Sequence, residues 1–86
     1  MIIEDEVLSL GFIKDVRGFR SKKTVRGLGT GDDKHVYIET LEEDMIFIWW
    51  RSRSAHEDTL YDGYATSKEE LDDILTNKLR IKHLIS

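Results

Sequence analysis

The chain has 86 residues, 40% of them hydrophobic and 35% charged, with a formal net charge of −4 and neither cysteine nor proline. That length supplies one core and no second, and the composition is globular rather than disordered. No apolar run approaches the roughly 20 residues of a membrane span. The start, Met1-Ile2-Ile3-Glu4-Asp5-Glu6, is acidic and unlike a secretory signal. Without cysteine there is no disulfide framework, no thiolate zinc site and no cysteine nucleophile, and a reducing, cytoplasmic setting is expected.

In chain order, Ile3, Val7 and Leu10 recur at helical spacing. Acids at Glu4, Asp5 and Glu6 suit the positive end of that helix, and Gly11 suits its stop. Phe12 to Val16 reads as a first strand turning near Gly18. Phe19 to Arg26 reads as a second, with Phe19, Ser21, Lys23 and Val25 on one face. A glycine-rich connector follows over 27–33.

His35 to Thr40 and Met45 to Arg51 read as two strands joined by a polar turn at Glu42-Glu43-Asp44. Met45-Ile46-Phe47-Ile48-Trp49-Trp50 is the only strongly apolar run and carries both tryptophans. Alternation puts Ile46, Ile48 and Trp50 on one face and Phe47, Trp49, Arg51 and Arg53 on the other. A three-residue turn sets Val36 and Ile38 beside Ile46, Ile48 and Trp50, with Tyr37 and Glu39 beside Phe47, Trp49 and Arg51. A two- or four-residue turn mixes the faces, so the three-residue register is preferred. Trp50 then belongs to the core and Trp49 to the surface.

Thr59 to Thr66 reads as a further strand in which Gly63 marks a bulge or a close approach. Ser67-Lys68-Glu69-Glu70 is a capping box that starts a helix with Leu71, Ile74, Leu75 and Leu79 as its apolar stripe. Asn77 suits the helix end, leaving 79–85 as an edge strand or a helical tail. The sum over residues 1–86 is a single, small, two-layer α+β domain. An antiparallel meander of three to five strands carries a short N-terminal helix and a C-terminal helix packed on it.

No residue pattern implies a catalytic, cofactor or metal site. His35, His56 and His83 form no pair at ligand spacing. Ser54-Ala55-His56-Glu57-Asp58 holds the groups of a triad, but neighbours on one loop do not aim at one point. The glycines at 27, 29 and 31 are followed by Asp32 and Asp33 and then a strand, where a phosphate loop needs a helix.

Two surfaces carry the functional expectation. Tyr37, Phe47, Trp49, Arg51 and Arg53 have the composition of a protein interface, for another protein or for a second copy in a homodimer. This makes the first reading a non-enzymatic regulatory or inhibitor-like domain, with no membrane partner. Charge supplies the alternative. Seven basic residues lie between Lys14 and Lys34 against three acids, while seven acids lie between Glu57 and Asp73 against Lys68. Arg17, Arg20, Lys22, Lys23 and Arg26 would form a basic hairpin arm for nucleic acid, with Trp49, Arg51 and Arg53 as a stacking stripe. The acidic net charge weighs against that alternative.

Overall fold

The computed structural model describes residues 1–28 and 32–85. Five strands form one antiparallel sheet whose spatial order repeats the chain order. They are β1 (Phe12–Asp15), β2 (Gly18–Ser21), β3 (Lys34–Thr40), β4 (Met45–Ser52) and β5 (Glu57–Tyr64). The short helix α1 (Glu4–Leu8) precedes them, and α2 (Lys68–Asp73), a π turn (Ile74–Lys78) and α3 (Lys82–Ile85) follow. Val7, Leu71, Ile74, Leu75, Ile81 and Ile85 from the helical segments meet Phe12, Phe19, Val36, Ile38, Ile46 and Ile48 from the sheet in one buried cluster. Full burial of each such side chain stabilises by about 1.5–3 kcal/mol. The expected α+β meander with helices at both ends is what the chain forms. No described helix is long and apolar enough to cross a membrane.

The turn between β3 and β4 is a three-residue 3₁₀ turn, Glu42–Asp44. It pairs Ile38 with Ile48, Val36 with Trp50, Tyr37 with Trp49 and Glu39 with Phe47. This is the preferred register, and it places Val36, Ile38, Ile46 and Ile48 on the helix-covered face, all 1% exposed or less.

Elsewhere the boundaries move for local reasons. Ile3 is 56% exposed and Ile2 enters the core instead. Ile3 sits in extended backbone just before α1, its amide held by the Glu6 carboxylate at 3.0 Å, so it falls out of the helical row. The second strand ends at Ser21 rather than Arg26. The Ser21 hydroxyl donates to the Lys23 carbonyl (2.8 Å) and accepts from the Val36 amide (3.1 Å), taking the place of a backbone partner as β2 leaves β3. Only Val25 returns, as a bridge to Lys34. Residues 17–26 therefore form no hairpin arm. The turn that makes a hairpin is Val16–Arg17, between β1 and β2. Gly18 then passes so close to β3 that a Cβ would strike the Ile38 carbonyl, at a φ of 126° that favours glycine.

The bulge lies at Leu60, not Gly63: Ile48 pairs with Tyr61 and Trp49 with Thr59, leaving Leu60 extra. Gly63 pairs in register with Ile46. Its missing side chain makes room for Tyr61, whose hydroxyl would lie 2.8 Å from a Cβ there. At α2, Ser67 caps the Glu70 amide at 3.2 Å as expected, but Glu70 turns to the Thr66 amide and hydroxyl, so only half of the capping box forms. Helical backbone runs past Asn77 through the π turn, and after Leu79 and Arg80 the chain returns to helix in α3. The 79–85 segment is thus a helical tail, with Ile85 packed on Gly11.

Candidate interaction face

The helices cover one face of the sheet. The opposite face carries Tyr37, Phe47, Trp49 and Arg51 from β3 and β4, and Arg20 paired beside Tyr37. Arg53 lies beyond the end of β4, exposed in the following turn, so it is not on this face. Lys22, Lys23 and Arg26 follow the end of β2 and lie off it as well, and Arg26 pairs with Asp33 at 2.8 Å. The structure brings together four of the five expected interface residues, and adds Arg17 and Arg20 from the basic set.

Trp49 is not the exposed ring that alternation predicts: it is 4% exposed, while Trp50 on the core-side parity is half-buried. Both outcomes have a cause. Tyr37, directly across the strand pair, stacks on Trp49 with centroids 5.1 Å apart and planes 12° apart. Phe47, two residues along β4, stacks at 5.2 Å and 22°. The Arg17 guanidinium, reaching in from the β1–β2 turn, lies 5.3 Å from the Trp49 ring centre and 5.9 Å from that of Tyr37. Such cation–π contacts and ring pairs each add of order 1 kcal/mol to burial. Trp50 instead sits past the last core residue of β4, with the Lys34 ammonium 4.9 Å above its ring.

Arg17 is fixed by an ion pair with Glu57 of β5, at 2.8 Å, which strides over the aromatic row. The Arg17 hydrogen bond holds the Glu57 carboxyl below the usual carboxylate range and Glu57 in turn raises Arg17. Both side chains are more than a third exposed, so water screens the pair. Beside it lies a cleft of about 310 Å³ lined by Arg17, Glu39, Phe47, Trp49 and Glu57–Thr59. At the other end of the face, His35 is pushed down from its ordinary value, first by burial and then by Arg20. Among the described residues, the buried Nε of Arg20 has no hydrogen-bond partner.

Glu39 lies where the three-residue turn sets it, beside Phe47, whereas Glu57 and Thr59 are not expected at this site from the sequence. The β3–β4 register already places Glu39 there, but the Leu60 bulge that aligns Glu57 and Thr59 leaves no mark in the sequence.

The other motifs resolve structurally. Asp32 accepts from the Ser54 amide and hydroxyl, both at 3.0 Å, fastening the β4–β5 turn to the connector. Its carboxyl is held low, first by its own amide and then by Ser54. His56 is exposed, and its amide donates to the Ser52 hydroxyl. The centre of the glycine run, 29–31, lies outside the described residues. Among the described residues, no group of three or more histidines and carboxylates is arranged to hold a metal ion. Compared with family models, curated proteins and solved structures, the chain gives no match.

Proposed function

We propose that this is a non-enzymatic interaction domain of regulatory or inhibitor-like type, working in the cytoplasm. It meets another protein, or a second copy of itself, through the uncovered sheet face around Trp49. The observation that carries this reading is that face: a Tyr37–Trp49–Phe47 row flanked by Arg17, Arg20 and Arg51, with no helix over it. Aromatic residues and arginine supply most interface energy, and a stacked row presents them already ordered.

The test uses residues at the rim, because Trp49 itself is structural. Sedimentation and cross-linking of the wild-type protein are compared with Phe47→Ala and Arg51→Glu. Loss of a dimer, or of a captured partner, in both folded variants supports the face. A monomer whose captured proteins are identical in wild type and both variants overturns it.

Nucleic-acid binding is the second reading, favoured by Arg20 beside Tyr37 on the same face and by exposed Lys22 on the adjoining segment. Glu39, Glu57 and Asp58 in the cleft oppose a phosphate chain, and the stacked rings already contact one another where bases would have to stack. Titration with single-stranded and duplex DNA and RNA decides it. Salt-sensitive affinity that falls in Arg20→Ala or Lys23→Ala supports this reading, and no binding at low salt removes it.

A further inference from the structure

We propose that the open edge of β5 accepts an extended, lysine- or arginine-bearing segment of a partner protein as a sixth strand. This edge borders the Trp49 face and shares Glu57–Thr59 with its cleft, but strand addition does not require that face to be an interface. β5 is eight residues long, ends the sheet, and among the described residues pairs only with β4. Its far edge therefore carries the backbone donors and acceptors that an added strand uses.

The charge on this edge is of one sign. β5 bears Glu57, Asp58 and Asp62 and no cation. Glu57 is already paired with Arg17, but pairing β5 with β5 of another copy would still set Asp58 and Asp62 against two like carboxylates, so the edge resists self-assembly. The same carboxylates favour a basic strand, which makes one device serve both exclusion and selection. Side chains of an added strand alternate between the two faces of the sheet. On the uncovered face they run beside Glu57, Thr59 and Asp62, which pair with Arg51, Trp49 and Phe47 of β4. On the helix face they meet a groove of about 320 Å³ between β5 and α2, whose lining includes Tyr61, Tyr64, Glu69, Asp73 and Ile74. That groove already seats one cation of the chain itself: the Lys78 ammonium lies 5.6 Å from the centre of the Tyr61 ring. Aromatic walls with a carboxylate rim suit the stem and head of a lysine or arginine.

The probe is an end-capped peptide of eight alternating lysines and valines, matched to the length of β5. Its controls are the same peptide with glutamate for lysine, and the lysine peptide N-methylated at every backbone amide, so that neither of its edges can donate. Amide shifts of the full chain are followed by NMR. The expected result is binding of the lysine peptide with shifts centred on 57–64 and new exchange protection there, and at least about tenfold weaker binding by the glutamate and N-methylated peptides. Affinity is expected to fall about tenfold in Asp58→Asn/Asp62→Asn, and to fall on going from about 50 mM to about 300 mM salt. Equal binding of the N-methylated peptide shows charge contact without strand addition and overturns the proposal. So does no binding at low salt, or shifts confined to Arg17, Glu39, Phe47 and Trp49 that leave 60–64 unmoved. The Asp62→Asn variant alone, exposed and conservative, keeps the test valid if the double variant unfolds.

Discussion

The two faces of this sheet achieve burial by different means. On the helix face, Val36, Ile38, Ile46 and Ile48 lie under α1, α2 and α3, and an aliphatic core excludes water by layering. On the other face, no helix arrives, and Trp49 is buried by a stacked neighbour on each of two sides and by one long cation from a turn. The first face depends on many small contacts from distant helices, the second on a few large groups already held by neighbouring strands. A half-covered antiparallel sheet can thus hide a tryptophan at its outer surface while leaving the flanking charges in water.

That contrast sets a ladder of expected effects. Ile48→Ala should cost most, about 4 kcal/mol by chemical denaturation, because it opens a cavity between two rigid layers. Trp49→Ala should follow at about 3 kcal/mol, its site being better able to collapse or admit water, with Trp50→Ala at only about 1–1.5 kcal/mol, in proportion to its smaller buried area. If Trp50→Ala proves the more damaging of the two, the uncovered face does not bury its ring and the contrast fails.

Ser21→Ala comes next. It leaves the Val36 amide without its partner and should cost about 1–2 kcal/mol, and faster hydrogen exchange at Val36 identifies the cause.

The smallest effect should come from Arg17→Gln. Melting temperature at neutral pH falls slightly, and Trp49 emission moves to the red as water reaches the ring. Glu57 is held below its ordinary pKa in the folded state, chiefly by Arg17. Its contribution is therefore complete above the ordinary carboxylate value and is lost as pH falls through the lowered one. Arg17→Gln should flatten that part of the acid limb, leaving below it only the loss of the Arg17 cation–π cover on Trp49 and Tyr37. Identical pH profiles would show that Arg17 does not secure the face through Glu57.

The legible part of this molecule is the part governed by short-range alternation. The β3–β4 register follows from three turn residues and the need to gather Val36, Ile38, Ile46 and Ile48 on one side. Trp49 and Trp50 escaped because parity names a face without saying what lies over it. The group lying over Trp49 is Arg17, a side chain 32 positions earlier. The early exit of β2 was equally hidden. Ser21 replaces a backbone partner with its hydroxyl, a choice that serine in a strand-like run does not announce. The bulge escaped because Gly63 draws attention by its identity, while Leu60, which forms the bulge, reads as an ordinary strand residue.

The agreement between spatial strand order and chain order bears on how the molecule assembles. Each strand pairs with the one made just before it, and three of the four connections are two to four residues long, the exception being 22–33 between β2 and β3. Low contact order of this kind belongs with fast folding. The slow element is then the lid of the core. Ile85 reaches the α1–β1 junction at Gly11 from the far end of the described chain, so sealing this side of the core against water is expected to be the last step.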